Sequence, residues 1–230
     1  MAWTTFIGDY VKESIDVKAE KTSSKNVLII VGVSGGQGRN FEIAADTEKR
    51  KHSKDSVVII KAQDIVDGIN NKKYKKGEGL DNLIDQIDNA FGTNGIDKLV
   101  YFGHSHQKGL SVFKDEDLNV VGEKIHLTEE HIKDGFFWPK YNTNAQILLM
   151  GCRAGEGANS LAQKIANNFN AKLNIKVFGF TSYSLATTDS NRINKKEKVT
   201  EKELKAKFGP NTPALYYFGQ DGKGLKKFTK

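Results

Sequence analysis

Ala145-Gln-Ile-Leu-Leu-Met-Gly-Cys-Arg-Ala-Gly155 is an apolar run that stops at the only cysteine of the chain. A continuous apolar run closed by glycine predicts a strand buried on both faces. Lys98-Leu-Val-Tyr-Phe-Gly-His104 has the same form and ends in a histidine. Two such strands would deliver a thiol and an imidazole at their carboxyl ends. In open parallel sheets that is where ligands gather.

Working outward, Asn26-Val-Leu-Ile-Ile-Val-Gly32 predicts another fully buried strand, followed by a Gly-rich turn (Ser34-Gly-Gly-Gln-Gly38) and a helix over Phe41–Arg50. Ser56–Lys61 reads as a strand, and residues 63–78 as a loop with a lysine cluster. Leu80, Leu83, Ile84, Ile87 and Phe91 share one helical face, closed by Gly92 and Gly95. After the strand ending at His104, the polar interval 105–144 carries Leu127-Thr-Glu-Glu-His-Ile132, read as a short helix capped by Thr128. Leu161, Ile165 and Phe169 mark a helix expected to begin near Glu156–Asn159, and Ile175–Thr181 a fifth strand. Residues 182–212 read as a long lysine-rich surface loop with some helix, Pro213–Phe218 as a last strand, and Asp221-Gly222 as a hairpin turn. Strands alternating with helices predict an α/β fold with a mostly parallel central sheet and helices on both faces. With no repeat and no linker, residues 1–25 form a lead-in and 26–230 a single domain.

The bulk composition bounds the function. With 38% hydrophobic and 27% charged residues, the 230-residue chain is globular and long enough for a sizeable core. The amino terminus lacks the basic-then-apolar order of a secretory signal, and no apolar run reaches the ~18 residues of a membrane span. A cytoplasmic protein and a module delivered within a larger effector both fit. The net charge of +7 comes mainly from lysines, and no nucleic-acid-binding motif accompanies them, so neither nucleic acid nor membrane is an expected partner. A single cysteine excludes an intrachain disulfide and a multi-cysteine zinc site.

A thiol and an imidazole suffice for acyl transfer. The thiolate attacks a carbonyl, the imidazole moves the proton, and backbone N–H groups hold the oxyanion. Cys152 is expected just before a helix amino terminus, whose partial positive charge favours thiolate. Gly151 and Gly155 allow a sharp turn there.

A histidine closing one strand, with a cysteine closing another about 50 residues on, is the spacing of caspases and their relatives. Gly151-Cys-Arg-Ala-Gly155 resembles the nucleophile segment of that superfamily, which includes metacaspases, clostripain, gingipain, legumain, separase and the CHAT proteases. Phe102-Gly-His-Ser105 resembles its histidine segment, and Leu127–Ile132 a short helix of bacterial CHAT-type members. The resemblance implies a caspase–hemoglobinase-like sandwich and a cysteine endopeptidase without a cofactor, acting on protein or peptide substrates. Cys152 would be its nucleophile, His104 its base, and the N–H groups of Cys152 and Ser105 its oxyanion donors. The family usually has glycine where Ser105 stands. Met150 occupies the position from which relatives line the primary specificity pocket, and implies a less polar one. Relatives activate by cleavage in exposed loops, which would give 182–212 a processing role; a regulatory partner or calcium stays open.

Other readings compete. His106 is an alternative base. Gly103-His-Ser-His-Gln107 resembles a serine-hydrolase elbow without its closing glycine. Val33–Arg39 could cradle phosphate but lacks the Lys-Ser/Thr of a P-loop. His104, His106 and Cys152 offer three zinc ligands and no clear fourth. A non-catalytic caspase-like binding or regulatory module is the main rival.

Overall fold

The computed structural model describes residues 24–33, 40–74, 78–92, 94–106, 109–113, 126–128, 131–132, 141–187, 214–220 and 224–230. In chain order the elements are β1 (Asn26–Val31), α1 (Asn40–Lys51), β2 (Ser56–Lys61), α2 (Ala62–Asn70), α3 (Gly79–Phe91), β3 (Ile96–Phe102) and β4 (His104–His106). There follow β5 (Gly109–Ser111), β6 (His126–Leu127), β7 (Tyr141–Leu149), α4 (Leu161–Asn168), β8 (Lys176–Gly179), β9 (Ser184–Thr187), β10 (Tyr216–Gly219) and β11 (Lys226–Phe228).

Six strands form the central sheet in the order β11-β8-β7-β3-β1-β2. Every pairing in it is parallel except that of β11 with β8. The continuous apolar runs explain this. Val27, Ile29 and Val31 of β1 enter one core cluster, while Leu28 and Ile30 enter the other. A strand dry on both faces needs a layer on each. α2, α3 and α4 cover one face, and α1 with the β9–β10 pair covers the other. The expected α/β architecture with a mostly parallel sheet is present, and no helix among the described residues is long and apolar enough to cross a membrane.

Several local expectations fail. Residues 62–70 are helical, not loop: Ala62, Ile65, Val66 and Ile69 follow the i, i+3, i+4, i+7 rhythm and are buried. Asp221-Gly222 lies outside the described residues, but its flanking strands do not form a hairpin. β10 pairs with β9, and β11 pairs with β8. The stretch read as a loop from 182 contains β9; residues 188–213 lie outside the described residues, as do 1–23 and the Gly-rich turn. Leu127 belongs to a strand instead of a helix. Thr128 still organises a tight turn, its Oγ1 2.8 Å from His131 Nδ1 and its carbonyl accepting from His131 N–H at 3.1 Å. Residues 129–130 lie outside the described residues.

Candidate active site

β3 and β7 are parallel neighbours, in register through Tyr101↔Leu149, and both apolar runs therefore end on the same edge of the sheet. The ladder continues one step further, with Met150 N–H donating to the Tyr101 carbonyl at 2.9 Å. From there the two chains diverge to His104 and to Cys152.

His104 opens β4, which pairs antiparallel with β5 in the register His104↔Ser111; Ser105 and His106 follow in the same strand. The bend between β3 and β4 falls at Gly103, where a Cβ would run into the Tyr101 ring. The buried Tyr101 hydroxyl lies 2.9 Å from the His104 carbonyl and 2.8 Å from that of Ser111, fixing the start of β4. Burial also raises the Tyr101 pKa well above that of a free phenol, so the group stays a donor. The Phe41 ring meets the His104 imidazole edge-on, with centroids 5.2 Å apart.

Ser105 joins the two segments. Its Oγ–H donates to the Cys152 carbonyl at 2.7 Å. Gly151 permits this approach, because a Cβ there would collide with Ser105 Oγ and come within 2.7 Å of the Gly103 carbonyl. Ser105 thus acts through its hydroxyl as a tie between the segments.

Cys152 is half-buried in a turn whose next residue, Arg153, holds a left-handed φ of 57°. The turn is anchored by Arg153 N–H to the Ser182 carbonyl and Gly155 N–H to the Phe180 carbonyl, both 2.8 Å. Arg153 also pairs with Glu156 and lies over the Tyr183 ring at 5.5 Å. Cys152 does not stand at a helix amino terminus as expected. α4 begins only at Leu161, where Ser160 Oγ accepts from Gln163 N–H at 3.2 Å. The donors around the sulfur come instead from β9: Ser184 N–H and Ser184 Oγ each lie 3.4 Å from Cys152 Sγ.

Met150 is buried in the α1-side cluster with Phe102, Phe180 and Tyr217, and its carbonyl lies 3.4 Å from Ser184 Oγ. No three His, Cys, Asp or Glu side chains gather as a metal site among the described residues.

No family model, curated protein or solved structure matches this chain.

Sequence reasoning missed Ser184, Tyr101, Phe41 and Tyr217. The first lies in Thr181-Ser-Tyr-Ser-Leu-Ala-Thr187, where isolated apolar residues among hydroxyls gave a loop signal. The aromatic run Leu215-Tyr-Tyr-Phe218 marked a strand, but not its place beside α1.

Proposed function

We propose that the chain is a caspase-like cysteine endopeptidase in which Cys152 is the nucleophile and His104 the general base. One observation carries this reading: β3 and β7 are adjacent and parallel, so the imidazole-bearing and thiol-bearing segments leave the sheet side by side and are tied by Ser105. The resemblance of Phe102–Ser105 and Gly151–Gly155 to the histidine and nucleophile segments of that superfamily supports it.

In the proposed cycle His104 takes the thiol proton and Cys152 Sγ attacks the scissile carbonyl carbon. The resulting oxyanion accepts from backbone N–H groups, with Cys152 and Ser105 as candidates. Collapse expels the amine, which receives the proton held by His104, and leaves a thioester on Cys152. Water, deprotonated by His104, hydrolyses the thioester and releases the carboxylate with the thiol restored. No metal or cofactor enters this chemistry. Ser184 N–H, 3.4 Å from Sγ, is placed to donate to the sulfur as it becomes negative.

The contacts between Cys152 Sγ and Ser184 also suit the rival reading, a binding module in which the thiol is only a packing group. Incubation with a diverse peptide library, followed by mass spectrometry of new termini, separates the two. A peptidase yields fragments that are absent with Cys152→Ala. Intact peptides throughout, with a folded protein, would reject the enzyme and favour the binding module.

A further inference from the structure

Building on the peptidase reading, we infer that Tyr217 contacts the substrate at the Cys152–His104 site, its hydroxyl donating a hydrogen bond to an uncharged oxygen of the bound peptide. The register of the β9–β10 pair sets its direction. Tyr217 stands opposite Ala186, and Gly219 opposite Ser184. Opposed residues, and residues two apart along a strand, share a face. Tyr217 therefore projects from the same face as Ser184, whose Oγ and N–H are each 3.4 Å from Cys152 Sγ. Gly219, facing Ser184, places no side chain between them.

The ring is fixed from the other side. Phe41 stacks on Tyr217 with centroids 6.0 Å apart and also meets the His104 imidazole at 5.2 Å. Phe102 packs against Tyr217 at 6.0 Å. One phenylalanine thus touches both the proposed base and the tyrosine. Burial, and then the charge of Cys152, raise the Tyr217 pKa well above the ordinary phenol value, so the hydroxyl remains protonated and able to donate.

The hydroxyl is buried, on a residue only 9% exposed, and has no hydrogen-bond partner among the described residues. A buried O–H without a partner destabilises the fold, and phenylalanine would keep the same stacking without that penalty. A partner that arrives with substrate accounts for the oxygen. Since the ring packs on Phe41 and Phe102 in an apolar cluster that also holds Met150 and Leu215, a charged substrate group there would be desolvated with no counter-ion from that cluster. The acceptor is accordingly a peptide carbonyl or a side-chain carboxamide.

The test compares wild type, Tyr217→Phe and Cys152→Ala against peptidyl acyloxymethyl ketones carrying Gln, Met or Glu next to the reactive carbonyl. Labelling rates at Cys152 are read by intact mass, and melting temperatures by calorimetry. The expected result is that Tyr217→Phe labels roughly five- to tenfold more slowly with the uncharged probes. It should also melt about 2–4 °C higher. Equal labelling rates for Tyr217→Phe and wild type would overturn the inference, as would slower labelling accompanied by a lower melting temperature, the mark of a packing role. A wild type labelled fastest by the Glu probe would overturn the uncharged acceptor. If no peptidyl probe labels wild type although iodoacetamide alkylates Cys152, the peptidase reading itself fails, and this inference with it.

Discussion

Around Cys152 the chain is held by close approaches that leave no room for added atoms. Gly151→Ala would force its methyl group against Ser105 Oγ and the Gly103 carbonyl. It should destabilise by about 1–3 kcal/mol, measurable by urea unfolding, and also slow any reaction at Cys152. Ser105→Ala removes only the bond to the Cys152 carbonyl and should lower stability by roughly 1 kcal/mol. The placement of His104 and Cys152 just beyond two neighbouring strands was legible in the sequence because each closes an apolar run, a purely local signal. Ser184, which lies against Cys152 Sγ, was not, and neither was Tyr217 opposite Ala186, since both are placed by a strand pairing formed far along the chain. No local pattern reports such a pairing. Nor did any local signal show that the helix after Cys152 starts as late as Leu161, because Gly155 and Gly157 allow turns where a helix was expected.

The elements carry a second constraint, away from the thiol. Lys98 near the start of β3 and Glu48 of α1 are both buried and joined at 2.6 Å. His52 reaches Glu48 at 3.3 Å and Asp55 at 2.7 Å. Burial alone would raise the Glu48 pKa, but Lys98 foremost, then Lys51 and His52, outweigh it and hold the carboxyl well below the ordinary range. A depressed folded-state pKa means that the unfolded chain binds more protons in acid. The stabilisation is therefore complete above the ordinary Glu pKa of about 4.3 and is lost as pH falls through the folded value. Melting temperatures between pH 7 and pH 3 should show this loss, and the Glu48→Gln/Lys98→Met double variant should lose less over the same span. Glu48→Gln alone leaves Lys98 buried without its carboxylate and should destabilise by about 3–5 kcal/mol at neutral pH. Neither the pair nor its partners were singled out from sequence, where they looked like ordinary solvated charges. α2 was missed as well: its helical rhythm at Ala62, Ile65, Val66 and Ile69 is present in the sequence, but the lysine cluster that follows drew the stretch into a loop reading.

For the molecule as a whole, alternation of apolar runs with amphipathic segments was enough to fix an α/β sheet covered on both faces. Strand length and dryness report that directly, as β1 shows by sending alternate residues into opposite core clusters. The short pairings were not legible. β4–β5–β6 and β9–β10 form separate small sheets, and β11 joins the edge of the main sheet antiparallel. Strands of two to four residues carry too few apolar positions to reveal a period or a partner. Yet these sheets carry His104, Ser184 and Tyr217. The large sheet sets the shared edge, and the small ones bring to it the side chains for which a role is proposed.

The most direct measurement is the rate at which a peptidyl acyloxymethyl ketone modifies Cys152 in wild type and in His104→Ala, followed by intact mass. If the two segments act as a nucleophile and its base, wild type is labelled at a single site, Cys152→Ala is not labelled, and His104→Ala reacts at least about 100-fold more slowly. Equal rates in wild type and His104→Ala would contradict the pairing of His104 with Cys152.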